Sequence, residues 1–206
     1  MTDINLIEEY KKSVYELADK LPQWNSEQKD RVYKAAFSSL FEETGELSGV
    51  ISKYRTRTNK QGIDLYNTKI EDIPSDLLEE IKHKFTDESS DVIWLLTAIC
   101  HVLIDEGIGL FTRLEAAKYL NTEISLEDAL FSTIGAIYIL YVSNKFEENN
   151  KITFYRGLSE IIDAFGVFLV KLKEEYNITI EDILKLNMKK LDSRYDETGK
   201  RVDGKL

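Results

Sequence analysis

The stretch LFEETGELSGVISK, residues 40–53, combines two features of a single helix. Its leucine, valine and isoleucine residues recur at helical spacing, which predicts a helix that buries one face. Because an α-helix turns about 100° per residue, Glu43 and Glu46 lie about 60° apart, and Glu42 lies about 40° from Glu46. Three carboxylates therefore share a face beside the apolar stripe, where like charges repel each other. A bound divalent cation would relieve this repulsion.

A second acidic pair occurs in FTDESSDVIWLLTAICHVL, residues 85–103. Glu88 and Asp91 are three positions apart, directly ahead of a strongly apolar helical segment. Carboxylate oxygens on two helices suit a hard ion. The two stretches predict one centre in which Glu43, Glu46, Glu88 and Asp91 bind Mg²⁺, with Mn²⁺ as the alternative ion. Solvated surface is the other interpretation of each cluster taken alone.

Composition restricts the class of protein. The 206 residues include 37 acidic and 27 basic side chains, and the net charge of −10 argues against nucleic acid as a partner. No apolar run reaches the roughly eighteen residues that span a bilayer, and the charged N-terminal residues are unlike a signal peptide. The single cysteine, Cys100, lies in an apolar segment and is expected to be a buried thiol. We therefore expect a cytoplasmic protein without a membrane partner.

The pattern along the chain predicts an all-α helical bundle that forms a single domain over residues 1–206. Two prolines and 10 glycines leave room for long helices, and no strand-like alternation is bounded by turns. The apolar segment 125–145 is expected to be central. Thr179, followed by Asp182, predicts a capped start for the final helix. Helices are predicted over residues 3–20, 26–55, 76–105, 110–120, 125–145, 154–175 and 179–194, with a long polar loop over 54–76.

The order of the segments indicates an internal repeat of approximately residues 26–120 and 125–195. The stretch 40–54 aligns with 130–146, sharing a Leu-Phe pair and a glycine, and the pair Glu88 and Asp91 aligns with Glu160 and Asp163. In the second copy the three glutamates of the first are replaced by Ser132, Thr133 and Ala136. The repeat predicts a pseudo-dimer with one composite site per chain. Coincidental similarity between helices is the alternative.

The second copy contributes a different set of side chains in NMKKLDSRY, near the end of the chain. Lys190 and Arg194, four positions apart, are predicted to face the phosphates of a substrate, and an amide and a phenol flank them. Lys53, at the basic start of the expected loop, is a further candidate for phosphate contact. Trp24 is a candidate for stacking on a base, although filling the core is its alternative role. The predicted substrate-binding residues are Asn187, Lys190, Arg194, Tyr195, Lys53 and Trp24.

With these motifs assembled, the chain resembles the MazG-like all-α nucleoside triphosphate pyrophosphohydrolases, the superfamily that includes the dimeric dUTPases. The resemblance rests on Glu43-x-x-Glu46 preceded by Glu42, on Glu88-x-x-Asp91, and on the motif that runs from residue 187 to residue 195. It covers most of residues 35–195.

This resemblance implies Mg²⁺-dependent cleavage of a nucleoside or deoxynucleoside triphosphate to the monophosphate and pyrophosphate. It also implies two copies of a MazG-like four-helix unit in the chain, and pairing of subunits, so a homodimer is expected. Glu42 is the candidate catalytic residue, orienting or deprotonating a water, with metal ligation as its alternative. The rival interpretation of the whole chain is a non-catalytic helical protein that binds a nucleotide or another protein.

Overall fold

A computed structural model describes residues 2–24, 29–60, 62–63, 68, 70–104, 109–120, 123–143, 151–196 and 198–202. Within these residues the chain forms α-helices and short 3₁₀ turns and contains no strand, which confirms the all-α prediction. An isolated antiparallel bridge joins Tyr195 to Arg201. The helices are α1 (Ile4–Lys20), α2 (Lys29–Lys60), α3 (Ser75–Ile104), α4 (Leu110–Ala116), α5 (Leu126–Ser143), α6 (Lys151–Tyr176) and α7 (Ile180–Arg194).

Helix α2 is longer than its sequence pattern predicted, because the helical stripe continues into the expected loop. Tyr54 and Thr58 are buried, and the Thr58 hydroxyl donates to the Tyr54 carbonyl. Arg57 lies on the same helical extension and donates to Glu80 of α3 at 2.6 Å. The prediction of a loop over 54–60 is therefore wrong, and the chain leaves the helix only after Lys60.

The start of α7 matches its prediction in detail. The Thr179 hydroxyl accepts a hydrogen bond from the Asp182 backbone amide, and the Asp182 carboxylate accepts one from the Thr179 amide. This reciprocal pair satisfies two amides that the first helical turn leaves without partners. It fixes where α7 begins, and so which of its side chains reach the neighbouring helices.

Helix α3 lies at the centre of the bundle and packs against α1, α2, α4, α6 and α7. Its segment from Val92 to Cys100 is buried except for the half-buried Trp94. The buried Thr97 hydroxyl donates to the Ile93 carbonyl at 2.7 Å, so this hydroxyl is paired within the core. Cys100 is buried, as expected.

Helix α5 is not central, contrary to its prediction. It packs against α6 and α2, and the opposite side is exposed, including Phe131, Tyr138 and Val142. The sequence of α5 is apolar on every side of the helix, and this pattern predicted that the helix would be fully buried. The bundle supplies neighbours for only part of that surface. Among the described residues, no helix has both the length and the apolarity needed to cross a bilayer.

The contact between α6 and α4 predicts opposite effects for two identical substitutions. A Cβ added at Gly166 would lie 2.6 Å from the Ala117 Cβ and 3.4 Å from the Leu114 backbone, whereas one at Gly49 meets nothing within 4 Å. We expect Gly166→Ala to lower the free energy of unfolding by about 1–3 kcal/mol, through overpacking. Gly49→Ala should raise it by about 0.5–1 kcal/mol, through helix propensity. Urea denaturation measures both, and equal effects of the two substitutions would contradict this packing.

Candidate metal centre

The packing of α2 against α3 brings three carboxylates together. Glu43 of α2 and Glu88 and Asp91 of α3 each offer an oxygen, and these atoms lie within 4.8 Å of one another. All three side chains are half-buried. The fully buried Leu40 and Leu47 flank Glu43 on α2 and hold it against α3. Three of the four predicted metal ligands therefore form a cluster that can hold a metal ion.

The three carboxyl groups of this cluster have raised pKa values. Burial, followed by repulsion from Asp91 and the neighbouring glutamates, raises the pKa of Glu43 to about 7. Burial and then the hydrogen bond with Glu46 raise the pKa of Glu88 to about 7. Burial also raises the pKa of Asp91, despite opposition from Lys190. Without a bound cation, the carboxyl groups of this cluster are not all ionised at neutral pH.

Glu46 and Glu42 lie at the margin of the cluster. Glu46 lies close enough to Glu88 to raise the pKa of that carboxyl, after the larger effect of burial. Glu42 is exposed, and its charge contributes to the raised pKa of Glu43. Neither belongs to the compact triad, so Glu46 is placed as a neighbour of a ligand rather than within the triad. The exposed position of Glu42 leaves its carboxylate accessible to a water or a substrate.

Lys190 contacts the acidic cluster directly. Its ammonium lies 2.5 Å from an oxygen of Asp91 and 2.8 Å from one of Asp87, and its side chain is 11% exposed. Burial tends to raise the pKa of Asp87, but the hydrogen bond and charge of Lys190 outweigh it, so the pKa is below its ordinary value. Arg194 lies 4.0 Å from the other Asp91 oxygen. The Lys190 ammonium is therefore engaged in ion pairs with Asp87 and Asp91, rather than available to bind a phosphate.

Asn187 is placed inside the protein, which corrects the prediction of substrate contact. It is 1% exposed, its amide nitrogen donates to the carbonyl and hydroxyl oxygens of Ser90, and its oxygen accepts from the Tyr10 hydroxyl at 3.1 Å. A substrate could reach the amide only by breaking these buried bonds. Asn187 instead joins α7 to α1 and to the α3 segment that carries Asp91.

A cavity of about 340 Å³ adjoins the triad. Glu43 and Asp91 lie on its wall together with Trp24 and Trp94, whose rings meet edge to face at 5.6 Å. Trp24 is 6% exposed, so it fills core space and also lines the cavity. Arg194 and Tyr195 line the cavity too. The structure thus brings Trp24, Arg194 and Tyr195 to the acidic cluster, although they are distant in sequence.

Lys53 does not join this group. It is exposed on α2, seven residues beyond Glu46, which is about 10 Å along the helix axis. Sequence reasoning missed four residues that the structure places here: Asp87, Ser90, Trp94 and Tyr10. Asp87 is one helical turn before Asp91, so spacing gave a signal for it. No local pattern marks Tyr10 as a partner of Asn187, because 177 residues separate them.

The triad fits a hard divalent cation. Its donors are all carboxylate oxygens, which suit Mg²⁺, Mn²⁺ and Ca²⁺. Two oxygens bound to the same Mg²⁺ lie about 3 to 4.2 Å apart, so the three carboxylates, which lie within 4.8 Å of one another, would move closer by rotation of their side chains. A double positive charge would also cancel the repulsion that raises the pKa of Glu43 and Glu88. Both the donors and the electrostatics support metal binding.

Comparison with known proteins adds no relative: family models, curated proteins and solved structures gave no match to this chain.

The raised pKa values predict that Mg²⁺ stabilises the protein more as pH rises. Glu43 and Glu88 have a pKa of about 7 in the folded protein against 4.5 as the ordinary value, so the unfolded chain loses these protons first. Their contribution to the free energy of unfolding therefore falls as pH rises from 4.5 through about 7, and is unchanged below that window. Mg²⁺ binds the ionised carboxylates and should offset the loss.

Thermal unfolding across this pH window, with and without Mg²⁺, measures the effect. Glu43→Gln should flatten the pH dependence and weaken the response to Mg²⁺. The variant Glu160→Gln, on α6, serves as the control and should behave as the parent protein. An increase in Tm with Mg²⁺ that is the same at every pH, or that survives in Glu43→Gln, would count against the triad as the binding site.

Proposed function

We propose that this chain is an Mg²⁺-dependent pyrophosphohydrolase that cleaves a nucleoside or deoxynucleoside triphosphate to the monophosphate and pyrophosphate. The observation that carries the proposal is the triad of Glu43, Glu88 and Asp91, two of whose members, Glu43 and Asp91, line a cavity that also presents tryptophan rings and a guanidinium. The cavity volume of about 340 Å³ falls in the range of small-molecule sites. The carboxylates would bind a metal ion, the guanidinium would contact a phosphate, and the tryptophan rings would contact the base. These groups together suit a metal-bound nucleotide.

The triad would hold the metal ion in this proposal. Bound Mg²⁺ supplies neutralisation of phosphate charge and a lowered pKa for a coordinated water. The oxygen of a water forms a bond to the α-phosphorus while the bond from that phosphorus to the pyrophosphate leaving group breaks. Glu42, exposed one position before Glu43, accepts the proton of this water. Glu46 helps to raise the pKa of Glu88, after burial, and so favours the protonated form of that carboxyl before a cation binds.

The basic residues of α7 divide into two roles. Arg194 is 37% exposed, lines the cavity, and lies 4.0 Å from Asp91, so its guanidinium is able to turn onto a phosphate. Lys190 is enclosed between Asp87 and Asp91, and it orients Asp91 rather than binding phosphate. Asn187 supports the same segment through Ser90. Trp24 and Trp94 give the base a stacking surface.

Helix contacts support the pseudo-dimer part of the proposal. If α2, α3 and α4 correspond to α5, α6 and α7, a twofold operation converts the α2–α3 contact into α5–α6. It also converts the α3–α7 contact into α6–α4, and the structure contains all four contacts. The bidentate pair of Arg113 on α4 with Asp163 on α6 then parallels the pair of Lys190 on α7 with Asp91 on α3. The second centre would thus have lost its glutamates and kept an ion pair.

Pyrophosphate release from a panel of nucleoside and deoxynucleoside triphosphates, with and without Mg²⁺, tests the function. Glu43→Gln and Glu88→Gln should each lower kcat/KM by about 100-fold or more, since even residues behind metal ligands cost 10–100-fold. Glu160→Gln, the counterpart of Glu88 in the second copy, is the matched control and should retain activity. Binding of Mg²⁺ and nucleotide without pyrophosphate release would favour the non-catalytic nucleotide-binding alternative.

The two roles on α7 predict separable defects. Arg194→Ala should raise KM by about 10-fold with little change in stability, because it removes a partly exposed phosphate contact. Lys190→Ala should lower the free energy of unfolding by about 1–3 kcal/mol, since it leaves two half-buried carboxylates without their cation. Steady-state kinetics and urea denaturation separate these effects. A larger stability loss in Arg194→Ala than in Lys190→Ala would contradict the assignment.

A further inference from the structure

A groove of about 540 Å³ lies between α4, the second half of α6 and the start of α7. Its floor is aliphatic and consists of Leu114, Leu169, Val170, Ile178 and Ile180. Leu114, Leu169 and Ile178 are at most 4% exposed, so the floor belongs to the packed core. Sites for small molecules have volumes in this range and are mostly apolar, with a few polar groups. The groove therefore has the size and the lining of a ligand site.

Close packing of α4 on α6 forms one wall of this groove. A Cβ added at Gly166 would lie 2.6 Å from the Ala117 Cβ, so the approach depends on the absence of a side chain at Gly166. The other wall is formed where the chain turns back after α6. Asn177 has a left-handed backbone, with φ of 55°, and α7 begins at Ile180. This turn brings Ile178 to the same groove as the side chains of α4 and α6.

Three glutamates line the groove, and each has a partner. The Glu115 carboxylate accepts a hydrogen bond from the Thr2 backbone amide at 2.6 Å. Glu174 and Glu181 each form an ion pair with a lysine of the same helix, at 3.0 Å and 3.7 Å. These partners offset part of the negative charge of the groove.

Two lysines of the groove, Lys118 and Lys173, are exposed and form no ion pair with a carboxylate of the described residues. The Lys118 ammonium lies 4.9 Å from the centre of the ring of the exposed Tyr119, a contact that is weak at such a site. With the lysine partners of the glutamates counted, four ammonium groups accompany three carboxylates here, in a chain of net charge −10. The groove is thus a locally basic site.

The two lysines are placed to reach one ligand group. Lys118 follows Ala117, which contacts Gly166 of α6. Lys173 lies seven residues beyond Gly166, which is about 10 Å along the helix axis. Two long, flexible side chains at this separation can both contact an anion that lies between them.

We propose that this groove binds a fatty carboxylate of medium chain length, with its hydrocarbon chain on the aliphatic floor and its carboxylate at Lys118 and Lys173. Covering the floor removes apolar surface from water, which drives binding. The two ammonium groups donate charge-assisted hydrogen bonds to the carboxylate. A small polar anion would leave the floor uncovered, and an uncharged hydrocarbon would leave both lysines without an anion.

This site is separate from the candidate metal centre. The groove and the cavity beside the triad share no lining residue. On α7, Arg194 of that cavity lies 14 residues beyond Ile180, which is about 21 Å along the helix axis. Binding of a fatty carboxylate therefore does not depend on the proposed hydrolysis of a triphosphate.

Titration calorimetry of the purified full chain with sodium decanoate, kept below the concentration at which it forms micelles, tests the proposal. We expect saturable binding, about 10-fold tighter than that of octanoate, because each buried methylene group tightens binding about 4-fold. Decanol and decylamine, which have the same chain without the anion, should bind at least about 5-fold more weakly than decanoate. An absence of saturable binding overturns the proposal, as does decylamine that binds as tightly as decanoate.

Lysine variants locate the bound carboxylate. Lys118→Gln and Lys173→Gln should each weaken decanoate binding about 5-fold and leave decanol binding unchanged, because they remove a charge and leave the floor intact. The control is Lys189→Gln, an exposed lysine of α7 outside the groove, which should bind as the parent protein does.

Charge reversal provides the complementary test. The double variant Lys118→Glu with Lys173→Glu should prefer decylamine to decanoate, and circular dichroism checks that it remains helical. Decanoate affinity that is unchanged in the double variant overturns the proposal. Binding of the parent protein to phosphatidylglycerol vesicles without any binding of free decanoate would assign the groove to an anionic lipid surface and also overturn it.

Discussion

Electrostatic repulsion at the junction of α2 and α3 is the constraint on which the rest of the structure depends. Glu43, Glu88 and Asp91 converge because leucines on α2 and the apolar core of α3 must pack against each other. Hydrophobic packing thus holds the carboxylates partly out of water and close to one another. Burial, and after it the neighbouring acidic groups, raises the pKa of Glu43 and of Glu88 to about 7. A bound cation would relieve the repulsion among these carboxylates.

Helices α7 and α1 position the segment of α3 that carries Asp91. Lys190 lies between Asp87 and Asp91, and Asn187 joins Ser90 to Tyr10, so α7 and α1 both bind the polar segment of α3 through buried groups. A buried ion pair and a satisfied amide contribute modestly to net stability, but removing one partner is costly. Their main effect here is to fix the direction of Asp91.

In the internal repeat that we propose, helices α2 and α5 correspond to each other but carry different side chains. On α2 the exposed Gly45, Gly49 and Ser52 are small or polar, whereas on α5 the exposed side chains include Phe131, Tyr138 and Val142. The acids on α2 are replaced on α5 by Ser132, Thr133 and Ala136. In the proposed repeat, the first half therefore retains the acidic residues of the candidate metal centre and the second half has lost them.

The sequence by itself determined the helices, the acidic pairs and the capped start of α7, because these depend on spacing within a few residues: three or four positions define a helical face, and Thr179 with Asp182 define a cap. The tertiary structure decided which groups meet. Asn187 proved buried, Lys190 proved to be an ion-pair partner of Asp91, and Trp24 came to line the cavity beside Glu43. It also decided that α5 would be exposed on one side, since burial depends on how many neighbours a helix finds. Local spacing carries no record of contacts between residues far apart in the chain, such as Glu43 with Glu88 or Lys190 with Asp91, and those contacts built the site.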